Sequence, residues 1–163
     1  MRVGIIGFGI RGEQLCRSLG YATDEWVAGM EEAAAEAKRE GRPFTALEDF
    51  RNQEPLNVQI TGVCDVFDVR AEKAMRSFGT EEVPVKRYRT YTDMIRSGEV
   101  EAVVIATPDH WHAPMSIEAL NNNVHVYVEK PMTHNLSETY ALKEAAMNSK
   151  AAFQVGHQHR QTL

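Results

Sequence analysis

Short apolar runs alternate along the chain with segments in which apolar residues recur every three or four positions. Runs rich in Val, Ile and Ala are typical of strands buried on both faces, whereas the longer recurrence is typical of helices. The runs predict six strands, at residues 3–7, 58–64, 85–88, 102–106, 124–128 and 152–155. The segments between them predict helices at residues 9–19, 69–78, 91–97, 113–120 and 137–148.

This alternation of strand and helix predicts the α/β class, with a parallel sheet that carries helices on both faces. Right-handed crossovers and six strands fit the doubly wound (Rossmann) fold, with the expected strand order 3-2-1-4-5-6. Ser137 is the expected N-cap of the last helix, because its hydroxyl can accept a backbone N–H bond there.

Residues 21–55 depart from this rhythm and are interpreted as an insertion between the first helix and the second strand. The segment is charged and alanine-rich, and residues 31–39 have strong helix propensity with a weak apolar face. Such a helix is typically a solvated surface element. The alternative is a subunit contact or a lid, anchored by Trp26 and Phe44.

A glycine-rich motif of the form G-x-G-x-x-G ends the first predicted strand and opens the first predicted helix. In this context Gly7 permits a tight turn, Gly9 lets the backbone approach a diphosphate, and Gly12 lets the helix pack against the strand. The free N–H groups at the helix N-terminus then attract the phosphates. The candidate cofactor-binding residues of the motif are Gly7, Phe8, Gly9, Ile10, Arg11 and Gly12.

Asp65 follows the second predicted strand and is the candidate for binding the adenine ribose. A carboxylate at this strand tip accepts hydrogen bonds from ribose hydroxyls, which favours NAD and repels the 2′-phosphate of NADP. Arg11 and Arg70 could offset that repulsion, so NADP stays possible. The alternative role for Asp65 is a helix N-cap, although Asp68 is the better cap candidate because it immediately precedes the helical run.

Bulk properties narrow the function classes. The chain has 163 residues, 43% hydrophobic and 25% charged, which fits one ordinary globular domain. A net charge of −5 argues against a nucleic-acid partner, and no apolar run approaches a membrane span. Cys16 and Cys64 form neither a disulfide framework nor a zinc pattern. We expect a cytoplasmic protein, with a trimmed export signal left open.

Three further segments carry a family resemblance. They are residues 106–113 (Ala-Thr-Pro-Asp-His-Trp-His-Ala), 128–132 (Val-Glu-Lys-Pro-Met) and 154–160 (Gln-Val-Gly-His-Gln-His-Arg). Together with the glycine motif, they make the chain resemble the glucose-fructose oxidoreductase, inositol dehydrogenase and rhizopine-catabolism family (Gfo/Idh/MocA). The similarity covers nearly the whole chain apart from the insertion.

The resemblance implies roles for the loops after the fourth and fifth strands. It places Thr107, Pro108 and His112 near the nicotinamide, although His112 could instead be a helix-start residue packed on its loop. It also brings Glu129 and Lys130 to the cofactor and makes Lys130 the catalytic candidate, followed by a proline that is often cis. Lys130 could hydrogen-bond a substrate hydroxyl, and it could help to move the hydroxyl proton if it is buried near the cofactor. The alternative is a surface lysine at a strand end.

The last segment carries polar residues that would face the substrate cleft, namely His157, His159 and Arg160. His-x-His pairs occur at positions 110 and 112 and at 157 and 159, and imidazole is a common zinc ligand. Because no acidic or cysteine ligand is spaced to complete either pair, we expect no metal site.

The resemblance implies an oxidoreductase that transfers hydride between NAD(P) and a sugar, cyclitol or related polyol. Family enzymes continue into a sheet-rich substrate domain that supports a homo-oligomer. We therefore expect residues 1–163 to be the cofactor domain of a longer protein, inactive alone. The alternatives are an NAD-dependent glycosidase or lyase that oxidises the sugar transiently, and a non-catalytic NAD-binding regulatory module. The residues do not name the substrate.

Overall fold

The computed structural model describes residues 1–157. Within them, six parallel strands form one sheet in the order β3-β2-β1-β4-β5-β6, which confirms the predicted doubly wound class and strand order. The strands are β1 (Arg2–Ile6), β2 (Gln59–Cys64), β3 (Lys86–Arg87), β4 (Ala102–Ile105), β5 (His125–Glu129) and β6 (Phe153–Gly156).

Seven helices and one short 3₁₀ turn connect the strands across the described part of the chain. The helices are α1 (Ile10–Ser18), α2 (Asp24–Arg39), α3 (Ala46–Arg51), α4 (Asp68–Phe78), α5 (Tyr91–Arg96), α6 (His112–Asn121) and α7 (Leu136–Asn148). The 3₁₀ turn, Asp109–Trp111, leads directly into α6.

The core lies in two layers, one on each face of the sheet. Strand side chains alternate between the layers, because successive residues of a strand point to opposite faces. On one face α1 and α4 cover side chains such as Ile5 and Val63. On the other face α5, α6 and α7 cover side chains such as Ile6 and Val103. Residues on both faces of β1 and β4 are therefore buried, as their continuous apolar runs predict.

The helix caps differ from the sequence predictions. Asn135, not Ser137, caps α7, and its side-chain oxygen accepts a hydrogen bond from the Glu138 backbone N–H at 2.9 Å. Asp68 is the first residue of α4 rather than its cap. Its carboxylate instead pairs with Arg87, whose hydrogen bond lowers the pKa of Asp68.

Helices α2 and α3 lie between α1 and β2, within the segment interpreted as an insertion. Thr23 caps α2, which begins earlier than the predicted residues 31–39. The Trp26 ring packs edge-on against Phe50 at 5.2 Å, and the Arg17 guanidinium lies 5.0 Å from the Trp26 ring centre. Trp26 thus ties α2 to both α3 and α1.

Two glycine-to-alanine substitutions test whether close packing against the backbone requires glycine at position 12, whereas the helix at position 29 does not require it. A Cβ at Gly12 would lie 2.2 Å from the Gly7 carbonyl oxygen, whereas a Cβ at Gly29 in α2 would meet nothing within 4 Å. We expect Gly12→Ala to lose about 1–3 kcal/mol of unfolding free energy by overpacking. Gly29→Ala should gain up to about 1 kcal/mol from helix propensity. Urea unfolding followed by circular dichroism measures both, and a neutral Gly12→Ala would contradict the close packing.

The two cysteines should react slowly in the folded chain. Burial raises the pKa of Cys16 to about 12 and that of Cys64 to about 11. Because only the thiolate is nucleophilic, alkylation by iodoacetamide at about pH 8 should be on the order of a hundredfold slower in the native protein than in urea. Since both pKa values are raised on folding, their contribution to stability is present below about pH 8.5 and falls as the pH rises. Rapid native alkylation of either thiol would contradict its placement.

Candidate functional site

The loops that follow β1, β2, β4 and β5 meet at the carboxyl edge of the sheet, where the strand order reverses. This is the position at which doubly wound sheets bind ligands. Two cavities open there, of about 410 and 440 Å³, and both are lined by Ala106 and Thr107. The first extends over the glycine turn and Asp65, and the second extends to Lys130. The two cavities adjoin at these shared residues and are together called the crevice below.

The glycine turn follows β1 directly, in a backbone conformation that favours glycine. Gly7 adopts a φ of 88°, which favours glycine, and its N–H donates to the Cys64 carbonyl oxygen at 2.8 Å. Gly9 is the N-cap of α1, and among residues 1–157 no side chain bonds to that helix end. The first N–H groups of α1 are therefore positioned to meet an anion in the crevice.

Asp65 is fixed by two backbone groups. Its Oδ2 accepts the Phe8 N–H at 2.7 Å and its Oδ1 accepts the Phe67 N–H at 2.8 Å, while the residue is 8% exposed. The carboxylate thus joins the glycine turn to the segment after β2 and borders the crevice. Each carboxylate oxygen still has a lone pair, so the same group can accept from a ribose hydroxyl.

The middle residues of the glycine motif point in different directions. The Phe8 ring is buried and packs edge-on against Phe78 at 5.4 Å, so only its backbone can serve a ligand. Ile10 is 84% exposed. Arg11 turns towards Glu129, whose Oε1 lies 2.7 Å from Nη2 and 2.8 Å from Nε.

The Arg11 ion pair changes the expectation about charge near the ribose. Arg11 was a candidate to offset the repulsion between Asp65 and a 2′-phosphate, but its guanidinium is committed to Glu129. Arg70 remains at the crevice, with its guanidinium 4.7 Å from the Phe67 ring centre and beside Gly9. Arg70 lies in the first turn of α4, five residues after Asp65, and this proximity in the sequence is the signal that indicated it.

His112 is buried beneath the loop after β4. It is 2% exposed, and its ring nitrogens lie 2.7 Å from the Pro131 carbonyl oxygen and 2.9 Å from the Thr107 carbonyl oxygen. Of the two readings of this residue, the geometry matches a helix-start residue packed on its loop. The ring lies between two loops of the crevice, and its tautomer decides which of the two carbonyl oxygens accepts the ring N–H.

Lys130 sits on the rim of the second cavity. Its side chain is exposed, whereas Glu129 beside it is 5% exposed, and the Lys130–Pro131 peptide bond is cis, as the resemblance implies. The cavity at this point is also lined by Thr107 and Asp109. A substrate hydroxyl in this cavity would lie within reach of the ammonium group.

Pro108 and Trp111 form the outer wall of the first cavity. Trp111 is 43% exposed and leans on Tyr91, with ring centres 6.2 Å apart. Asp109 approaches His134 at 3.0 Å, and that hydrogen bond lowers the pKa of Asp109. Trp111 therefore lines the first cavity while its side chain stays partly exposed to solvent.

The remaining predicted residues lie at or beyond the end of β6. His157 is exposed, and its N–H donates to the Val155 carbonyl oxygen. His159 and Arg160 lie outside the described residues. Within residues 1–157, no group of three or more His, Cys, Asp or Glu side chains is arranged to hold a metal ion. In the same range, no helix has both the length and the apolar character needed to cross a bilayer.

The chain matches a protein-family model and is similar in sequence to known proteins. A family model described as an oxidoreductase family with an NAD-binding Rossmann fold (GFO_IDH_MocA) matches residues 1–157. The chain is 33% identical over 104 residues to inositol 2-dehydrogenase of Salmonella typhimurium, covering 63% of this chain and 30% of that protein. It is 37% identical over 93 residues to glycosyl hydrolase family 109 protein 2 of Shewanella sp. ANA-3, covering 54% and 20%.

A solved structure shares the fold. The myo-inositol dehydrogenase of Lactobacillus casei, in complex with NAD(H) and myo-inositol, superposes with a TM-score of 0.71 at 20% identity. The match covers 99% of this chain and 38% of that chain. The chain therefore spans less than half the length of each of these relatives.

The two hydrogen bonds of Asp65 generate a stability test. Asparagine keeps one oxygen, so Asp65→Asn would direct an NH₂ group at either the Phe8 or the Phe67 N–H. We expect a loss of about 1–3 kcal/mol of unfolding free energy, measured by urea denaturation. Asp24→Asn at the exposed start of α2, where the carboxylate makes no side-chain bond to residues 1–157, is the matched control. Equal stability of the two variants would show that the carboxylate does not hold the turn.

Proposed function

Because the chain belongs to the Gfo/Idh/MocA family of NAD-binding oxidoreductases, we propose that it is the cofactor domain of a dehydrogenase. The enzyme would move hydride between a nicotinamide dinucleotide and a sugar, cyclitol or related polyol. One observation carries the proposal: the buried Asp65 carboxylate is bonded to the amide of the glycine turn at the edge of the crevice.

The residues present fit a dinucleotide. The glycine turn and the N-terminus of α1 supply backbone N–H groups for the diphosphate. Asp65 supplies acceptors for the adenine ribose, and the space between Phe67 and Trp111 is lined mostly by apolar groups. The crevice then continues past Thr107 to Lys130, in the direction that a dinucleotide needs to reach from ribose to nicotinamide.

NAD is the proposed cofactor rather than NADP. A buried carboxylate held by two amides cannot swing away from a 2′-phosphate, so it would face that group as a like charge. Two cations, Arg70 and Arg89, line the cavity that Asp65 borders. Because Arg89 pairs with Asp68, Arg70 is the lining residue that could soften the repulsion.

The chemistry assigned to the chain itself is limited to orientation and proton movement. When bound, the nicotinamide supplies the hydride exchange. Lys130 at the rim of the second cavity would hydrogen-bond the substrate hydroxyl. As the amine it would accept the hydroxyl proton during oxidation, and as the ammonium it would return that proton to the oxygen in the reverse direction. Thr107 and Pro108 shape the wall between the two cavities and limit the positions that a ring can take there.

The rest of the enzyme is proposed to lie outside these residues. We infer that residues 1–163 form one NAD(P)-binding domain, that residues 21–55 are an insertion within it, and that a separate domain completes the substrate site. The short coverage of the relatives supports this division. The complete protein would be a homo-oligomer. Two free buried cysteines support a reducing, cytoplasmic location.

Cofactor binding by this chain gives the direct test. We expect isothermal titration calorimetry to detect NAD binding and NADP binding at least about tenfold weaker, the factor expected when a like charge replaces a favourable hydrogen bond. Asp65→Ala should weaken NAD binding by a similar factor, whereas Asp49→Ala should not. Unchanged NAD affinity in Asp65→Ala would remove Asp65 from the site, and absence of NAD binding would overturn the proposal.

The family 109 glycosyl hydrolase relative supports one other function. In that case the complete enzyme would oxidise a glycoside transiently, eliminate a substituent and return the hydride. Product analysis of the complete protein with polyols and with aryl glycosides separates the two. We expect NADH to accumulate with a polyol. A cleaved glycoside without net NADH would favour the glycosidase, and neither product would favour a non-catalytic NAD-binding module.

A further inference from the structure

We propose that Arg11 and His112 are positioning residues that hold the Lys130–Pro131 turn from its two sides, rather than groups that contact the cofactor. The inference rests on the proposed function, because the turn matters only if Lys130 meets the substrate. Its starting observation is that the residues flanking Lys130 are each anchored to a different loop of the crevice.

The first anchor is the ion pair between Arg11 and Glu129. Two guanidinium nitrogens lie 2.7 and 2.8 Å from Glu129 Oε1, and the Glu129 side chain is only 7% exposed. The third nitrogen, Nη1, donates to Gln14 at 3.0 Å. The other Glu129 oxygen accepts the Lys130 N–H at 3.3 Å. Because a buried carboxylate is costly without its cation, this pair fixes the backbone just before Lys130.

The second anchor is the His112 ring. It lies at the start of α6, nearly sealed from solvent, between the carbonyl oxygens of Pro131 and Thr107. The ring therefore ties the residue just after Lys130 to the loop after β4. One of the two carbonyl oxygens accepts the ring N–H, and the ring packs against the other. Removing the ring would leave that buried acceptor without its partner, at a desolvation cost, and would leave the space between the two loops unfilled.

These anchors make the cofactor turn and the Lys130 turn a single unit. Arg11 stands two residues after Gly9, on the same turn that is proposed to hold the diphosphate. Lys130 keeps an exposed side chain on a backbone whose neighbours on both sides are fixed. The position of Lys130 relative to the proposed cofactor site is thereby fixed before any ligand binds. A well-oriented reaction requires such preorganisation.

The experiment compares Arg11→Met with Arg11→Lys in the same chain. Methionine keeps the apolar stem and removes the ion pair, whereas lysine can restore one charged hydrogen bond to Glu129. Nuclear magnetic resonance measures hydrogen exchange of the Lys130 amide and the ¹⁵N relaxation of Lys130 and Met132. Calorimetry measures NAD affinity. Arg51→Met, which removes the exposed pair with Glu31, is the matched control.

In Arg11→Met we expect the Lys130 amide to exchange roughly tenfold or more faster, the factor for loss of a charged hydrogen bond, with NAD affinity changed less than about threefold. Arg11→Lys should recover much of the protection, and Arg51→Met should leave it unchanged. His112→Asn, which can still donate to one carbonyl, should mobilise the turn less than His112→Phe.

Two results would overturn the proposal. One is an unaltered Lys130 turn in Arg11→Met. The other is a loss of NAD affinity of roughly tenfold or more in Arg11→Met with the turn still ordered, which would make Arg11 a cofactor contact. If His112→Phe does not fold, Arg11→Met and His112→Asn still decide the matter. If the wild-type chain does not bind NAD, the proposed function fails, whereas the exchange data still test the anchors.

Discussion

The whole crevice depends on one buried carboxylate bonded to two backbone amides. Asp65 joins the turn after β1 to the segment after β2, and the bond from the Gly7 N–H to the Cys64 carbonyl oxygen adds a second link between this turn and the end of β2. Backbone N–H groups are obligatory donors, so a loop that buries them must find acceptors. Here a single side chain supplies acceptors to both loops, and the same oxygens border the space for a ligand.

The constraint explains how the edge of the sheet combines order with access. Strand ends at this edge leave their loops without ladder partners, yet a binding site must remain open there. Beneath the rim, side chains order these loops by contacting the backbone or each other. They are Asp65, His112 and the Arg11–Glu129 pair. Above them Lys130 and Trp111 stay exposed. Fixed groups below and free groups above are what a preorganised site requires.

Much of the fold follows from the sequence because its signals are local. The apolar runs of β1 and β4 have the length and composition that are typical of strands buried on both faces, and the glycine motif requires its own turn. The strand β3 is reduced to Lys86–Arg87, since an edge strand has one neighbour and a weak apolar pattern. Asn135 replaces Ser137 as a cap because the choice depends on where the chain leaves the preceding loop.

The site was harder to predict, because its contacts join residues far apart in the chain. The motifs identified Arg11, His112 and Glu129 as important, but the sequence does not show that Arg11 reaches across 118 positions to Glu129. A motif records which residues a family retains at a site. It does not distinguish a residue that touches the ligand from one that holds the residue beside it.

That distinction bears on how a dinucleotide would be held. With Arg11 paired to Glu129, the positive potential at the glycine turn comes chiefly from oriented N–H groups of α1, supported by Arg70 beside Gly9. Helix-end N–H groups are fixed dipoles that need no ordering when the anion arrives, whereas a free arginine side chain loses rotamer freedom. Because the Arg11 guanidinium is paired with the buried Glu129 carboxylate, it is not available to contact a phosphate. The pair forms instead a link between the turn that is proposed to hold the phosphates and the lysine that is proposed to meet the substrate.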